Sequence, residues 1–223
     1  MRRPLVFPLI VALGFSFFTQ DPIASPLDQV LTDNALLERL RSGGLVIVFR
    51  HGETGPDSDR ADAVGGRSAY PGSSKDRQAA YLDCDRQRLL SDAGRDELRK
   101  IADSIRKIGL LVGEVFASPM CRTRETAWLL VGQVISSEAL IGPENDSRDH
   151  LATTIPADGT NRVLVSHGYV VGSIVSDLEG TAPNQFAPPG YGFVLEPDGN
   201  GNFEVLARLG PEDWARVASL AEK

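Results

Sequence analysis

Short runs of β-branched and aliphatic residues alternate along this chain with stretches whose apolar positions recur every three or four residues. Such an alternation predicts an α/β fold, a mostly parallel sheet flanked by helices on both faces. The first helical pattern covers about Leu27 to Arg41, with Leu27, Val30, Leu31, Leu37 and Leu40 as its apolar positions, and stops at Gly43-Gly44. Leu45 to Phe49 is apolar without interruption, as expected of a strand buried on both faces. Ser91 caps a helix running to about Ile108, with Leu98, Ile101, Ile105 and Ile108 in one stripe. Glu114 to Ser118 reads as a short strand, after which Ser118 caps a helix with Pro119 at its first position and an end near Val131. Arg162 to Ser166 is a third strand, followed by a helix from Tyr169 to Leu178. Two closing strands, Gly192 to Glu196 and Phe203 to Leu209, flank Pro197-Asp198-Gly199-Asn200-Gly201, turn chemistry that predicts an antiparallel hairpin at a sheet edge. A last short helix follows Pro211.

Two stretches carry no such pattern. Arg2 and Arg3 precede an apolar run from Leu5 to Phe18, and Thr19, Gln20 and Asp21 follow. The run is shorter than the 18 or so residues of a membrane span, so residues 1–24 read as a secretory signal peptide, with cleavage after Ala24 and an uncleaved anchor as the alternative. Residues 25–223 then form a single domain. Within it, residues 55–82 lack an apolar period and contain Pro56, Gly65-Gly66 and Pro71-Gly72. A loop of that length in a compact domain is either a lid or binding segment or a disordered insertion.

Charge narrows the partners. The 223 residues include 30 acidic and 23 basic side chains, a net charge of -7, and are 42% hydrophobic. Removal of residues 1–24 leaves 29 acidic and 21 basic, a charge of -8. With no run of Lys and Arg, nothing supports binding to nucleic acid or anionic lipid, and no stable membrane insertion is expected after signal cleavage. A local pair of arginines in such a chain is conspicuous.

The chemistry lies where strands end. In an open parallel sheet, ligands gather outside the carboxyl ends of strands, where helix N-termini present free N–H groups. Three strands run into reactive residues: Arg50-His51-Gly52, Ser118 leading to Arg122, and Ser166-His167-Gly168. Parallel strands bring all three to one edge, and Arg122 falls early in its helix, where the dipole adds to its charge. Two of only three histidines share the strand-His-Gly context, while His150 in SRDHL reads as a surface residue. Two histidines and two arginines converging on one spot suit a dianion, with phosphate the leading candidate. No metal-ligand cluster is legible.

RHGET at 50–54, SPMCRTRETA at 118–127 and SHG at 166–168, in that order, resemble the histidine phosphatase superfamily, also called phosphoglycerate mutase-like. The resemblance covers roughly Leu45 to Leu209, and CDRQRLLSDAG at 84–94 is similar to the family's approach to its first long helix. It implies a phosphoglycerate mutase-like fold and a metal-independent phosphatase without a cofactor. His51 would attack phosphorus to form a phosphohistidine, while Arg50, Arg122 and His167 hold the phosphoryl oxygens of a small phosphorylated substrate. Mutase activity is not expected, because GPDSD after the first motif lacks the mutases' serine and asparagine. The resemblance is closest to small exported bacterial members, which places the protein in the periplasm or outside the cell.

The family's proton donor is an acidic residue, and LIGPENDSRDH offers Glu144 first and Asp146 second, with Glu53, Asp83 and Asp85 as further candidates. Some small members of the family that act on phosphohistidine dispense with a strong acid, because a nitrogen leaving group needs less help. A phosphoamide phosphatase is therefore an alternative, as is an inactive phosphate-binding module. Cys84 and Cys121 flank the same region and, in an exported protein, would form a disulfide between the loop's exit and the Arg122 helix; the other reading is two reduced, buried cysteines. Arg60, Arg67, Lys75, Arg77, Arg86 and Arg88 are available near the loop to meet an anionic substrate.

Overall fold

The computed structural model describes residues 31–55, 81, 83–142, 146–157, 159–179 and 187–222. The expected signal segment at 1–24 and nearly all of the 55–82 loop lie outside the described residues.

Among the described residues six strands form one sheet: β1 (Val46–Arg50), β2 (Val112–Ala117), β3 (Ile135–Ser136), β4 (Asn161–Ser166), β5 (Gly192–Pro197) and β6 (Phe203–Leu209). Their order is β3-β2-β4-β1-β5-β6. The first four strands pair in parallel, whereas β5 runs antiparallel to both β1 and β6, so the expected hairpin does form one edge. The helices are α1 (Asp33–Ser42), α2 (Asp92–Ile108), α3 (Cys121–Val131), α4 (Asp146–Thr153), α5 (Gly168–Glu179) and α6 (Pro211–Leu220).

The uninterrupted apolar strands follow from burial on two sides. Ile47, Phe49, Val163 and Val165 point into one core with Leu36 and Leu40 of α1, the α2 stripe Leu98, Ile101, Ile105 and Ile108, and Trp214 of α6. Their neighbours Val46, Val48 and Leu164 point into a second core with Val170, Val171 and Ile174 of α5. Period-2 geometry sends successive side chains to opposite faces, so both faces must be apolar when both are covered.

Helix boundaries follow local chemistry. Ser91 caps α2 through Gly94 N–H, and Gly109 ends it in the left-handed conformation at φ 77°. Helix α1 starts at Asp33, where Thr32 accepts from Ala35 N–H and caps it, and residues 27–30 of the expected helix lie outside the described residues. The Ser118-Pro119 cap is not formed. Helix α3 starts at Cys121 with Met120 at the cap position, because the Ser118 hydroxyl engages His167 and the Ser118 carbonyl accepts from Thr123 Oγ1. β3 and α4 have almost no apolar period to betray them: both β3 residues are exposed, and α4 buries only Arg148 and Ala152.

Candidate active site

The register of the parallel strands aligns the three motifs. Arg50 sits opposite Ser166 and Ala117 opposite Val165. Backbone bonds carry the alignment one residue further, with His51 N–H donating to Ser166 O and Ser118 N–H donating to Val165 O. His51, Ser118 and His167 therefore leave the sheet side by side. Arg122 is the second residue of α3 and Gly168 the first of α5, so the positive ends of two helices point toward the same place.

Both imidazoles are buried, each 3% exposed. Their rings meet edge to face with centroids 5.6 Å apart. Hydrogen bonds assign the tautomers. His51 Nδ1 lies 2.8 Å from the Gly52 carbonyl, which can only accept, so Nδ1 carries the proton and Nε2 keeps its lone pair. Arg122 Nη2 donates to His167 Nδ1 at 3.2 Å, so His167 carries its proton on Nε2 and donates it to Ser118 Oγ at 3.0 Å. Burial first, and the Arg122 charge second, push the His51 pKa down to about 3. The same two causes hold His167 well below the usual imidazole range. Both rings are thus neutral at pH 7, as a nitrogen nucleophile must be.

Arginines supply the charge. Arg50 donates from Nη1 to the Ala187 carbonyl at 2.5 Å. Its guanidinium lies against Gly168, where an added Cβ would sit 3.1 Å from Cζ, Nε and Nη1. That contact explains the glycine of the second His-Gly: the guanidinium occupies the space a side chain would take. Arg122 is 8% exposed. Arg88 approaches the group from a segment held to the start of α3 by the Gln87–Cys121 hydrogen bond and the Cys84–Cys121 disulfide, and its charge is a lesser cause, after burial, of the lowered pKa of Arg50, His51 and His167. The Nε–H groups of Arg50 and Arg88 are buried and have no hydrogen-bond partner among the described residues. Among the described residues, the side chains whose charge lowers both imidazole pKa values are Arg50, Arg88 and Arg122. A pocket with three guanidiniums and two neutral imidazoles is built for an oxyanion, and its donor set repels a cation.

Thr126 ties the motifs together. Its Oγ1 accepts from Gly52 N–H at 3.1 Å and donates to the Arg122 carbonyl at 2.8 Å, so α3 fixes the backbone just after His51. Leu98 of α2 packs against Gly52, where an added Cβ would lie 2.7 Å from its Cδ1 and would force that side chain to shift.

The structure brings Arg50, His51, Arg122 and His167 together as the motifs imply, and adds Arg88, Ser118 and Thr126. Arg88 stood undistinguished among six basic residues, and no periodicity separates it from the rest. Arg60, Arg67, Lys75 and Arg77 lie outside the described residues, as does the side chain of Arg86. The same holds for Glu144. Of the other carboxyl candidates, Glu53, Asp85 and Asp146 are exposed and Asp83 is half-buried. His150 is exposed on α4. Cys84 and Cys121 are disulfide-bonded, with Cα atoms 5.8 Å apart, so the reduced reading falls away.

Comparison with solved structures fits this geometry. The structure of the protein histidine phosphatase SixA complexed with tungstate superposes with a TM-score of 0.53 at 20% identity, covering 76% of this chain and 98% of that one. The chain shares the fold of a histidine phosphatase. SixA from Agrobacterium tumefaciens, described as a phosphohistidine phosphatase, gives a TM-score of 0.51 at 17% identity, over 76% of this chain and 99% of its own. No protein-family model and no curated protein sequence matches the chain.

Proposed function

We propose that the protein is a phosphatase of the histidine phosphatase type, hydrolysing a small phosphorylated substrate through a phosphohistidine on His51. The carrying observation is the pair of neutral, tautomer-fixed imidazoles, buried side by side, with the charges of three arginines acting on them. The fold shared with SixA, which was captured with tungstate, an oxyanion of phosphate shape, supports the reading.

The chemistry runs in two displacements. The substrate phosphoryl group binds beside the neutral His167 ring among Arg50, Arg88 and Arg122, whose guanidiniums offset its charge. His51 Nε2 attacks phosphorus, the P–N bond forms, and the bond to the leaving group breaks with its electron pair going to that group. As the ring gains positive character, the hydrogen bond from Nδ1–H to the Gly52 carbonyl strengthens and spreads the charge. Water then attacks phosphorus, the P–N bond breaks, and inorganic phosphate leaves while neutral His51 is restored. Guanidiniums held in advance around the transferring group stabilise the equatorial oxygens without reorganising.

An ester oxygen leaves best with a proton, and Glu144 remains the first candidate to supply it, ahead of Asp146, Glu53, Asp83 and Asp85. A phosphoamide substrate is the second reading, favoured by SixA and by the exposure of Glu53, Asp85 and Asp146 among the described carboxyl candidates. Export to the periplasm or the medium is the reading favoured by the disulfide, which persists in oxidising compartments.

The test is hydrolysis of an aryl phosphate and of phosphohistidine in EDTA. Activity on either, lost in His51→Ala, is expected, with acid-labile phosphate trapped on the wild-type protein after a rapid quench. Full activity in His51→Ala would refute the assignment. Phosphate binding without turnover of any phosphorylated compound would leave a binding module instead.

A further inference from the structure

Helix α3 carries Arg122 yet begins without a cap of its own. Met120 stands at the cap position and its side chain makes no cap hydrogen bond. The first N–H of the helix, that of Cys121, is bonded instead by Gln87 Oε1 at 2.8 Å, from a residue 34 positions earlier in the chain. Gln87 is 3% exposed. Its Nε2 donates to the Tyr81 carbonyl at 3.0 Å, so both ends of the carboxamide are engaged and its orientation is fixed. Beside it runs the Cys84–Cys121 disulfide, while Gln87 N–H donates to the Cys84 carbonyl. Arg124 Nη2 covers the sulfurs, 3.5 Å from Cys121 Sγ and 3.9 Å from Cys84 Sγ.

Each end of this connection abuts an arginine of the pocket. Gln87 precedes Arg88, and Cys121 precedes Arg122. Without the connection the two arginines would belong to separate segments, one at the exit of a long loop and the other on a helix. Guanidinium groups grip a tetrahedral oxyanion only when their separation matches its oxygens. An ordinary helix cap would be met by a Ser or Asp at position 120. A cap reaching over from the Arg88 segment satisfies the same N–H and, in addition, ties the two arginines to one another.

We propose that Gln87 is a positioning residue, holding Arg88 and Arg122 at the spacing that binds one phosphoryl group, with the disulfide as a second tie between the same segments. The proposal rests on the phosphatase reading of the pocket but concerns binding, so it is measured without turnover. Inorganic phosphate binding to the purified, oxidised chain is followed by calorimetry in wild type, Gln87→Leu, Gln87→Asn, Arg88→Ala and the Gln87→Leu/Arg88→Ala double variant, with thermal midpoints recorded on the same samples.

Gln87→Leu is expected to weaken phosphate binding by about tenfold or more, since displacement of ligand groups by about 1 Å is enough for such losses. In the Arg88→Ala background the same change is expected to cost less than about threefold, because a residue acting through Arg88 has little left to misplace. Gln87→Asn, which keeps the carboxamide but withdraws it by one methylene, is expected to weaken binding as well and covers the case in which the leucine variant does not fold. A lowered midpoint with phosphate affinity within about twofold of wild type would reduce Gln87 to a helix cap and overturn the proposal. Multiplicative losses in the double variant would overturn it too. A wild-type protein that binds no phosphate removes the pocket's functional reading along with this one, and is told apart because the failure precedes any substitution.

Discussion

Breaking the Cys84–Cys121 bond tests the link between covalent structure and stability. The two residues are separated by 37 positions. Cross-linking a loop of that length removes, in the chain-entropy account, roughly 13 cal/mol/K from the unfolded chain, or about 4 kcal/mol at 25 °C. Native contacts should change little, since Cys121 is buried and its N–H remains bonded to Gln87. The loss therefore falls on the unfolded state, which expands when the tie is cut. Urea denaturation of the oxidised protein and of the Cys84→Ser/Cys121→Ser variant is expected to show a stability lower by about 3 to 4 kcal/mol. The variant should also have a somewhat larger dependence on urea, from the extra surface its unfolded chain exposes. In a thermal scan the same loss corresponds to a midpoint lower by roughly 8 to 16 °C for a domain of this size. A difference below about 1 kcal/mol with unchanged urea dependence would refute the entropic account. Two thiols titrating in the denatured, unreduced protein would remove the bond itself.

Arg88→Ala should raise the dissociation constant for phosphate by roughly 10 to 100-fold, the worth of one charged hydrogen-bonding group in a partly desolvated site, with calorimetry as the check. Gly168→Ala pushes its new Cβ against the Arg50 guanidinium, and kcat/KM for an aryl phosphate should fall by about tenfold while the thermal midpoint stays near wild type. Because His51 is held near 3, the pH profile of kcat/KM should show no ascending limb of an imidazole between pH 6 and 7, once the substrate's own second ionisation near 6 is allowed for. Stability should respond to the same depression. Below about 6.5 the unfolded imidazole takes up a proton that the folded one refuses, so folding free energy falls on acidification toward about 3, by about 1.4 kcal/mol per pH unit from this group inside the window. Urea titrations at pH 6 and 5 on wild type and His51→Ala check this, and equal pH slopes in the two proteins would contradict it.

Much of the architecture was legible from residue order alone, because burial leaves a direct imprint on composition. Strands covered on both faces read as β1 and β4 do, and a helix with one covered face reads as α2 does, with Ser91 and Gly109 marking its ends. The motif residues were legible for a related reason: parallel strands deliver whatever follows them to the same edge, so Arg50, His51, Arg122 and His167 could be grouped before any coordinates. Sequence also carried the cysteine pair as one of two readings. Contacts between segments distant in the chain were left to the tertiary structure. Ser118 looks like a helix cap in isolation, but His167 comes close enough to engage its hydroxyl, and the helix starts two residues late as a consequence. Arg88 looks like one loop cation among several, and only the folding of its segment against α3 through Gln87 and the disulfide sets it beside the other two arginines. Local pattern reports what each residue must bury or satisfy, whereas the partner that satisfies it across 34 or 49 positions exists only once the sheet has brought the segments together.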